Sequence, residues 1–135
     1  MTQPFYQHTS NAVTVSVEVE YVPRDDNAEG VERHVWAYHI TMRNAGPWTV
    51  QLKTRHWTII DAQGRVHKVD GPGVVGETPV LEAGESFTYS SGCPLETDSG
   101  AMSGYYMFER EDGVPLKVTI PAFSLDLPGG RRVLN

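Results

Sequence analysis

A single cysteine, Cys93, stands in 135 residues, so no disulfide can close within the chain and no cysteine cage for a metal can be built from it. Such sparing use of cysteine fits a reducing cytosol. Long apolar runs are missing as well: the longest, residues 35–38 and 105–108, are four residues each, far short of the roughly 20 that a membrane-spanning helix needs. Basic charge is in deficit, with eleven Lys and Arg against seventeen Asp and Glu, a net charge of −6 and a pI near 5.3. That is the wrong sign for a protein whose affinity rests on neutralising phosphates, so nucleic acid and membrane are both set aside as partners. The first eleven residues have no basic start and no apolar stretch of seven, and read as mature protein rather than a secretory signal. No stretch shows helical periodicity. A chain that is 39% hydrophobic is nonetheless too apolar to stay disordered, and at this length one domain buries roughly two thirds of its unfolded surface. One domain spanning residues 1–135, with an ordered core over about 5–128, is the expectation.

What is present is strand patterning. Residues 12–22 alternate strictly, with Val13, Val15, Val17, Val19 and Tyr21 on one side. Residues 34–42 alternate again through Trp36, Tyr38, Ile40 and Met42, and the turn Ala45-Gly46-Pro47 leads into residues 48–60, which suggests a hairpin. In that second arm Trp48, Val50 and Leu52 share one parity and Trp57 and Ile59 the other, so a bulge is expected within residues 53–56. Asp61-Ala62-Gln63-Gly64 is a turn signature before a short strand at 65–69, and Glu82-Ala83-Gly84-Glu85 is another before a strand at 86–90. Residues 105–110 and 116–127 form a hairpin around Asp112-Gly113, with a further parity switch at Pro121 that predicts an edge or a bulge. Seven strands separated by turn signals predict an all-β, antiparallel sandwich of seven to eight strands, with Val15, Val17, Trp36, Tyr38, Ile40, Phe87 and Val118 in or beside the core. Residues 23–32 read as a polar surface connector, and Arg131 and Arg132 as a solubilising tail.

Motifs for chemistry are few. Gly71-Pro72-Gly73-Val74-Val75-Gly76 spells G-x-G-x-x-G, but a dinucleotide-binding motif must open a helix, and Pro79, Gly84 and the β pattern that follows forbid one. Two readings stay open: a tight connection that needs Gly71, Gly73 and Gly76 for geometry alone, and an anion nest aided by the local basic residues Lys53, Arg55 and His56. Geometry alone is favoured. His34 and His39 fall on opposite faces of a strand, and no His-x-His or His-x3-His pair occurs, so no metal site is expected. Cys93, Ser90 and Ser91 lack any nucleophile context, and the acidic pairs Asp25-Asp26 and Glu111-Asp112 sit in turn sequences. No catalytic residue and no cofactor are therefore expected. Residues 91–104, rich in Ser and Gly, read as a long loop pinned by Leu95 and Met102, with Gly92 and Gly100 opening it to a partner.

Arg55-His56-Trp57, residues 61–66, the whole of residues 71–81, residues 84–95, Ser99-Gly100-Ala101-Met102 and the closing residues 118–125 follow one another as they do in the ApaG family. The chain resembles that family from its first strand to about Pro128, with no departure in the glycine segment. The resemblance implies a fibronectin type III-like or immunoglobulin-like sandwich, in agreement with the strand count. It implies a bacterial cytoplasmic protein of the kind often encoded beside a diadenosine tetraphosphatase. Related domains in eukaryotic F-box proteins and in a polymerase-interacting protein look like protein-binding units, no enzymatic activity is established for the family, and a genetic link to divalent-cation handling carries no site. The expectation is a non-enzymatic module, monomeric or weakly dimeric, that binds a protein partner. The alternative is a carrier or sensor of a small anion such as phosphate or pyrophosphate, held at residues 71–76 with Arg55 or His56.

Overall fold

The computed structural model describes residues 5–23 and 33–128. Nine strands occur among them: β1 (Phe5–Ser10), β2 (Val13–Val22), β3 (His34–Asn44), β4 (Val50–Asp61), β5 (Val66–Pro72), β6 (Val80–Leu81), β7 (Ser86–Leu95), β8 (Gly100–Arg110) and β9 (Pro115–Leu125). They form two antiparallel sheets, one ordered β1-β2-β3-β7 and the other β5-β4-β8-β9 with β6 also on β4. The expected all-β sandwich is thus the architecture, and its count rises from seven or eight strands to nine. The connector at residues 24–32 and the tail with Arg131 and Arg132 lie outside the described residues.

Period-two patterning positions the core. Val13, Val15, Val17 and Val19 of β2 and Trp36, Tyr38, Ile40 and Met42 of β3 are buried against Trp57, Met102, Tyr106, Phe108, Val118, Ile120 and Phe123 of the facing sheet. Phe87 packs beside this core, half-buried. The bulge expected within residues 53–56 is a register shift between Leu52 and Thr54, which leaves Lys53 unpaired and returns Arg55, Trp57 and Ile59 to the inner face. The switch at Pro121 is both of the things it suggested. Residues 121–122 form a bulge opposite Ser103, on an edge strand that spares proline the need to donate on both sides.

Four expectations are corrected. Residues 34–42 and 48–60 make no hairpin, because β3 and β4 belong to different sheets and the Ala45-Gly46-Pro47 segment carries the chain across the sandwich. Buried Asn44 holds that corner, donating from Nδ2 to the carbonyls of Trp48 and Leu81 and accepting from the Gly46 N–H. Trp48 precedes the strand and stands exposed beneath the Arg110 guanidinium, so its parity with Val50 and Leu52 was incidental. A strand precedes residue 12. Its sequence hides it, since β1 is an edge strand exposed on most positions and joins β2 through Asn11 and Ala12, both at positive φ as in a type I′ turn. Finally, residues 91–104 are not a loop: β7 continues to Leu95 and β8 begins at Gly100. Serine and glycine mark turns only on average, and here Gly100 and Gly104 serve close strand approach. A Cβ on Gly100 would stand 2.6 Å from the Ile60 carbonyl oxygen.

The Asp61 turn ties β4 to β5 as its signature suggests. The carboxylate accepts from the N–H groups of Gln63 and Arg65 and from the Arg65 guanidinium. Burial pushes its pKa up, but the hydrogen bonds from Arg65 and Gln63 outweigh that and hold it below the usual carboxylate range. A lowered folded-state pKa contributes stability that is present above the ordinary carboxylate pKa and lost as pH falls through the folded value. Asp61→Asn is therefore expected to destabilise the protein near neutrality, with the gap to the parent shrinking on acidification. Denaturant midpoints of the two proteins at neutral pH and at about pH 3 check this.

Candidate functional site

The two long sides of the sandwich differ. On one, β1 and β9 close over the core: Tyr6 packs on Phe123, Asn11 donates to the Lys117 carbonyl, and the Thr119 N–H donates to the Ser10 hydroxyl. On the other, the edge strands β5 and β7 flank a cleft of about 360 Å³. Trp57, Ile59, Val69 and Met102 supply apolar walls, and Tyr38, Ser91, Arg55 and His67 supply polar groups. The register explains the gathering. Tyr38 lies opposite Ser91 on the inner face of one sheet, and Ile59 opposite His67 and Trp57 opposite Val69 on the inner face of the other.

Arg55 is in register with Gly71 on one neighbour and Tyr106 on the other. Its guanidinium lies over Gly71, where an added Cβ would meet it at 3.2–3.3 Å, and its Nη1 donates to the carbonyls of Pro72 (2.9 Å) and Gly73 (3.0 Å). Gly71 thus makes room for the side chain that straps the connection behind it. The next turn is closed by reciprocal backbone bonds, Val74 N–H to Glu77 O and Glu77 N–H to Val74 O, with Val75 (φ 41°) and Gly76 (φ 83°) at its centre. Gly73, at φ 62°, donates to the Lys53 carbonyl at the β4 bulge. Each glycine of the motif has a geometric reason, and the N–H groups of Gly73, Val74 and Glu77 are already used within the protein. A β-branched Val75 at positive φ is strained, so Val75→Asn, giving the Asn-Gly pair that such turns favour, is expected to stabilise the protein by about 1 kcal/mol. Thermal or denaturant unfolding checks this.

The basic cluster of the sequence divides three ways. Lys53 at the bulge pairs with Glu109, Arg55 faces inward, and His56 faces out. Arg55 and His56 are consecutive on a strand and so stand on opposite faces; the structure does not bring them together. His56 instead joins a row on the outer face. Its Nδ1 is 2.7 Å from Asp70 Oδ1, its Nε2 is 2.8 Å from Thr54 Oγ1, and its ring stacks on Tyr105 beneath Lys117. The order hydroxyl, imidazole, carboxylate is that of a proton relay. Yet β4 is paired on both sides from Thr54 to Ile60, which commits the neighbouring N–H groups to ladders and leaves none to steady an oxyanion.

Leu95 and Met102 are buried and face the core, and Gly92 and Gly100 lie within β7 and β8. Of the four residues read as loop contacts, Gly92 and Met102 border the cleft. Sequence reading missed Tyr38 and Ser91 as site residues, although their parity with Trp36 and Tyr89 marks both as inward-facing. The phenols of Tyr38, Tyr89 and Tyr106 are pushed up by burial, and the charge of Arg55 pulls each the other way. Tyr89 and Tyr106 share a hydrogen bond of 2.6 Å. Burial alone pushes the Cys93 thiol up to about 11. Cys93 is therefore expected to resist a disulfide reagent at neutral pH until the protein unfolds, which a thiol titration with and without denaturant checks. Among the described residues no group of three or more His, Cys, Asp or Glu comes together to hold a metal ion.

Residues 24–110 match the ApaG domain. The chain belongs to the ApaG family. It is 52% identical over 131 residues to Protein ApaG of Brucella anthropi, covering 96% of this chain and 99% of that one. Against Protein ApaG of Rhodospirillum centenum it is 52% identical over 126 residues, 93% and 96% of the two chains. A crystal structure of a Bordetella pertussis protein described as an ApaA protein superposes with a TM-score of 0.81 at 39% identity, over 96% of this chain and all of that one. The ApaG resemblance drawn from the ordered motifs is thereby established.

Proposed function

We propose that this ApaG-family chain is a non-enzymatic binding module of the cytoplasm that receives an extended segment of a partner protein along the open side of the sandwich. The observation that carries the reading is the asymmetry of the two sides. One is sealed by β1 on β9, while the other presents two edge strands, β5 and β7, around a partly apolar cleft. An edge strand offers a row of backbone groups to a further strand, and a cleft beside it receives alternate side chains. Exposed Val66 and Val69 on β5 and Ile60 beside it add apolar surface at that edge. The expected contact surface thus moves from a long loop to strand edges, with the glycine turn as the brace behind one of them.

Selection from a displayed library of random ten-residue peptides, followed by amide-shift mapping of the enriched peptides, tests the reading. Shifts are expected on β5, β7 and the cleft residues. Peptides that map elsewhere, or no enrichment, would overturn it. The anion alternative has its own arm: pyrophosphate at physiological salt is expected to leave the amides of residues 71–77 unmoved, since three of their donors are engaged. Turnover of diadenosine tetraphosphate, nucleoside triphosphates or pyrophosphate that a Thr54 or His56 substitution abolishes would contradict the non-enzymatic part.

A further inference from the structure

Arg55 is the one Lys or Arg among the residues lining the cleft, and it differs from the cations of the two sheets that are paired with carboxylates. Lys53 has Glu109, Arg65 has Asp61 and Glu96, and Arg110 has Asp112. Arg55 forms no ion pair among the described residues, and its bonds to the Pro72 and Gly73 carbonyls orient the guanidinium without neutralising it. Around it stand Tyr38, Ser91 and the paired hydroxyls of Tyr89 and Tyr106, all uncharged at neutral pH. A half-buried guanidinium with its planar fork fixed, and with phenol and hydroxyl groups beside it, is suited to a carboxylate.

Resting on the binding reading above, we propose that the segment received in the cleft is anchored by a carboxylate side chain that pairs with Arg55, its flanking apolar side chains lying on Trp57, Ile59 and Val69. Charge complementarity selects this occupant. One Lys or Arg in the cleft, held by carbonyls and not by a carboxylate, suits one carboxylate on a mostly apolar strand, whereas a polyphosphate or nucleic acid calls for several cations together. A neutral peptide would leave the guanidinium partly desolvated against apolar walls with nothing gained in return. The side-chain alternation of a strand lets the acidic residue and its neighbours two away face the cleft together.

The test uses blocked synthetic versions of the peptides enriched on the intact protein. Enriched sequences are expected to share an Asp or Glu flanked at i±2 by apolar residues. Changing that residue to Asn or Gln in the peptide, with the protein untouched, is expected to weaken binding roughly tenfold, the scale of one charge-assisted hydrogen bond. The loss should shrink at high salt and vanish against Arg55→Gln, and should persist against His67→Gln, which removes the other basic side chain lining the cleft. Peptides that bind in the cleft with no acidic preference, or whose amide variant binds equally well, would overturn the carboxylate anchor and leave the binding reading standing. An acidic preference that His67→Gln abolishes and Arg55→Gln keeps would overturn the role of Arg55. Failure to enrich any cleft-binding peptide would overturn both.

Discussion

Gly104→Ala is expected to cost the protein a large share of its folding stability. Gly104 sits at the centre of β8, opposite Trp57 on β4, and a Cβ there would fall inside the van der Waals shell of the His56 carbonyl oxygen and 3.1 Å from Trp57 Cα. The obstacle is backbone, so no rotamer change relieves it. β4 and β8 would have to part where the ladder runs unbroken from Thr54 to Asp61. Overpacking of this kind costs about 3 kcal/mol or more, a large share of the roughly 5–15 kcal/mol that holds a domain together. Gly92→Ala is the control. It lies in the same Ser- and Gly-rich stretch, its added Cβ would meet nothing closer than the Trp36 carbonyl oxygen at 3.6 Å, and its cost should stay within about 0.5 kcal/mol. Equal costs in denaturant unfolding would show that residues 91–104 do not form the two strands described.

Gly73→Val carries the next largest expectation and bears on the glycine motif itself. Gly73 has φ 62°, which a β-branched residue rarely adopts, and its new Cβ would collide with the Glu77 carbonyl and come within 3.1 Å of the carbonyl carbon. The turn at Val74 and Glu77 and the Arg55 bonds to Pro72 and Gly73 would yield together. A loss of about 2–4 kcal/mol is expected, with no ligand present. Gly76→Ala has open space around it and only its φ of 83° against it, so it should cost about 1 kcal/mol. A Gly73→Val protein as stable as its parent would return the motif to the anion-binding reading.

How much of this was legible in the sequence varied with the physics. Period-two alternation is direct evidence of burial, so β2, β3 and their valines, tryptophan and tyrosine followed from it. Broken parity at residues 53–56 and at Pro121 located both bulges, because a slip of one residue would turn every later side chain to the wrong face. Strand pairing was not legible. Nothing local in Ala45-Gly46-Pro47 distinguishes a hairpin from a crossing between sheets, and the deciding contacts of Asn44 reach Leu81, thirty-seven residues on. Ser- and Gly-rich composition misled at residues 91–104, where Gly100 and Gly104 admit a neighbouring carbonyl rather than a turn. The cleft combines five strands from two sheets, so its parts were visible and their meeting was not. Arg55 and His56 looked like one basic spot and proved to be two faces of a strand.

The most direct measurement of the account is site-specific photocrosslinking in intact cells. A benzophenone side chain at position 69, on β5 facing the cleft, is predicted to trap a discrete protein partner, while the same group at position 7, on exposed β1 along the sealed side, traps none. Crosslinks from position 7 and none from position 69 would contradict the assignment of the open side as the binding surface.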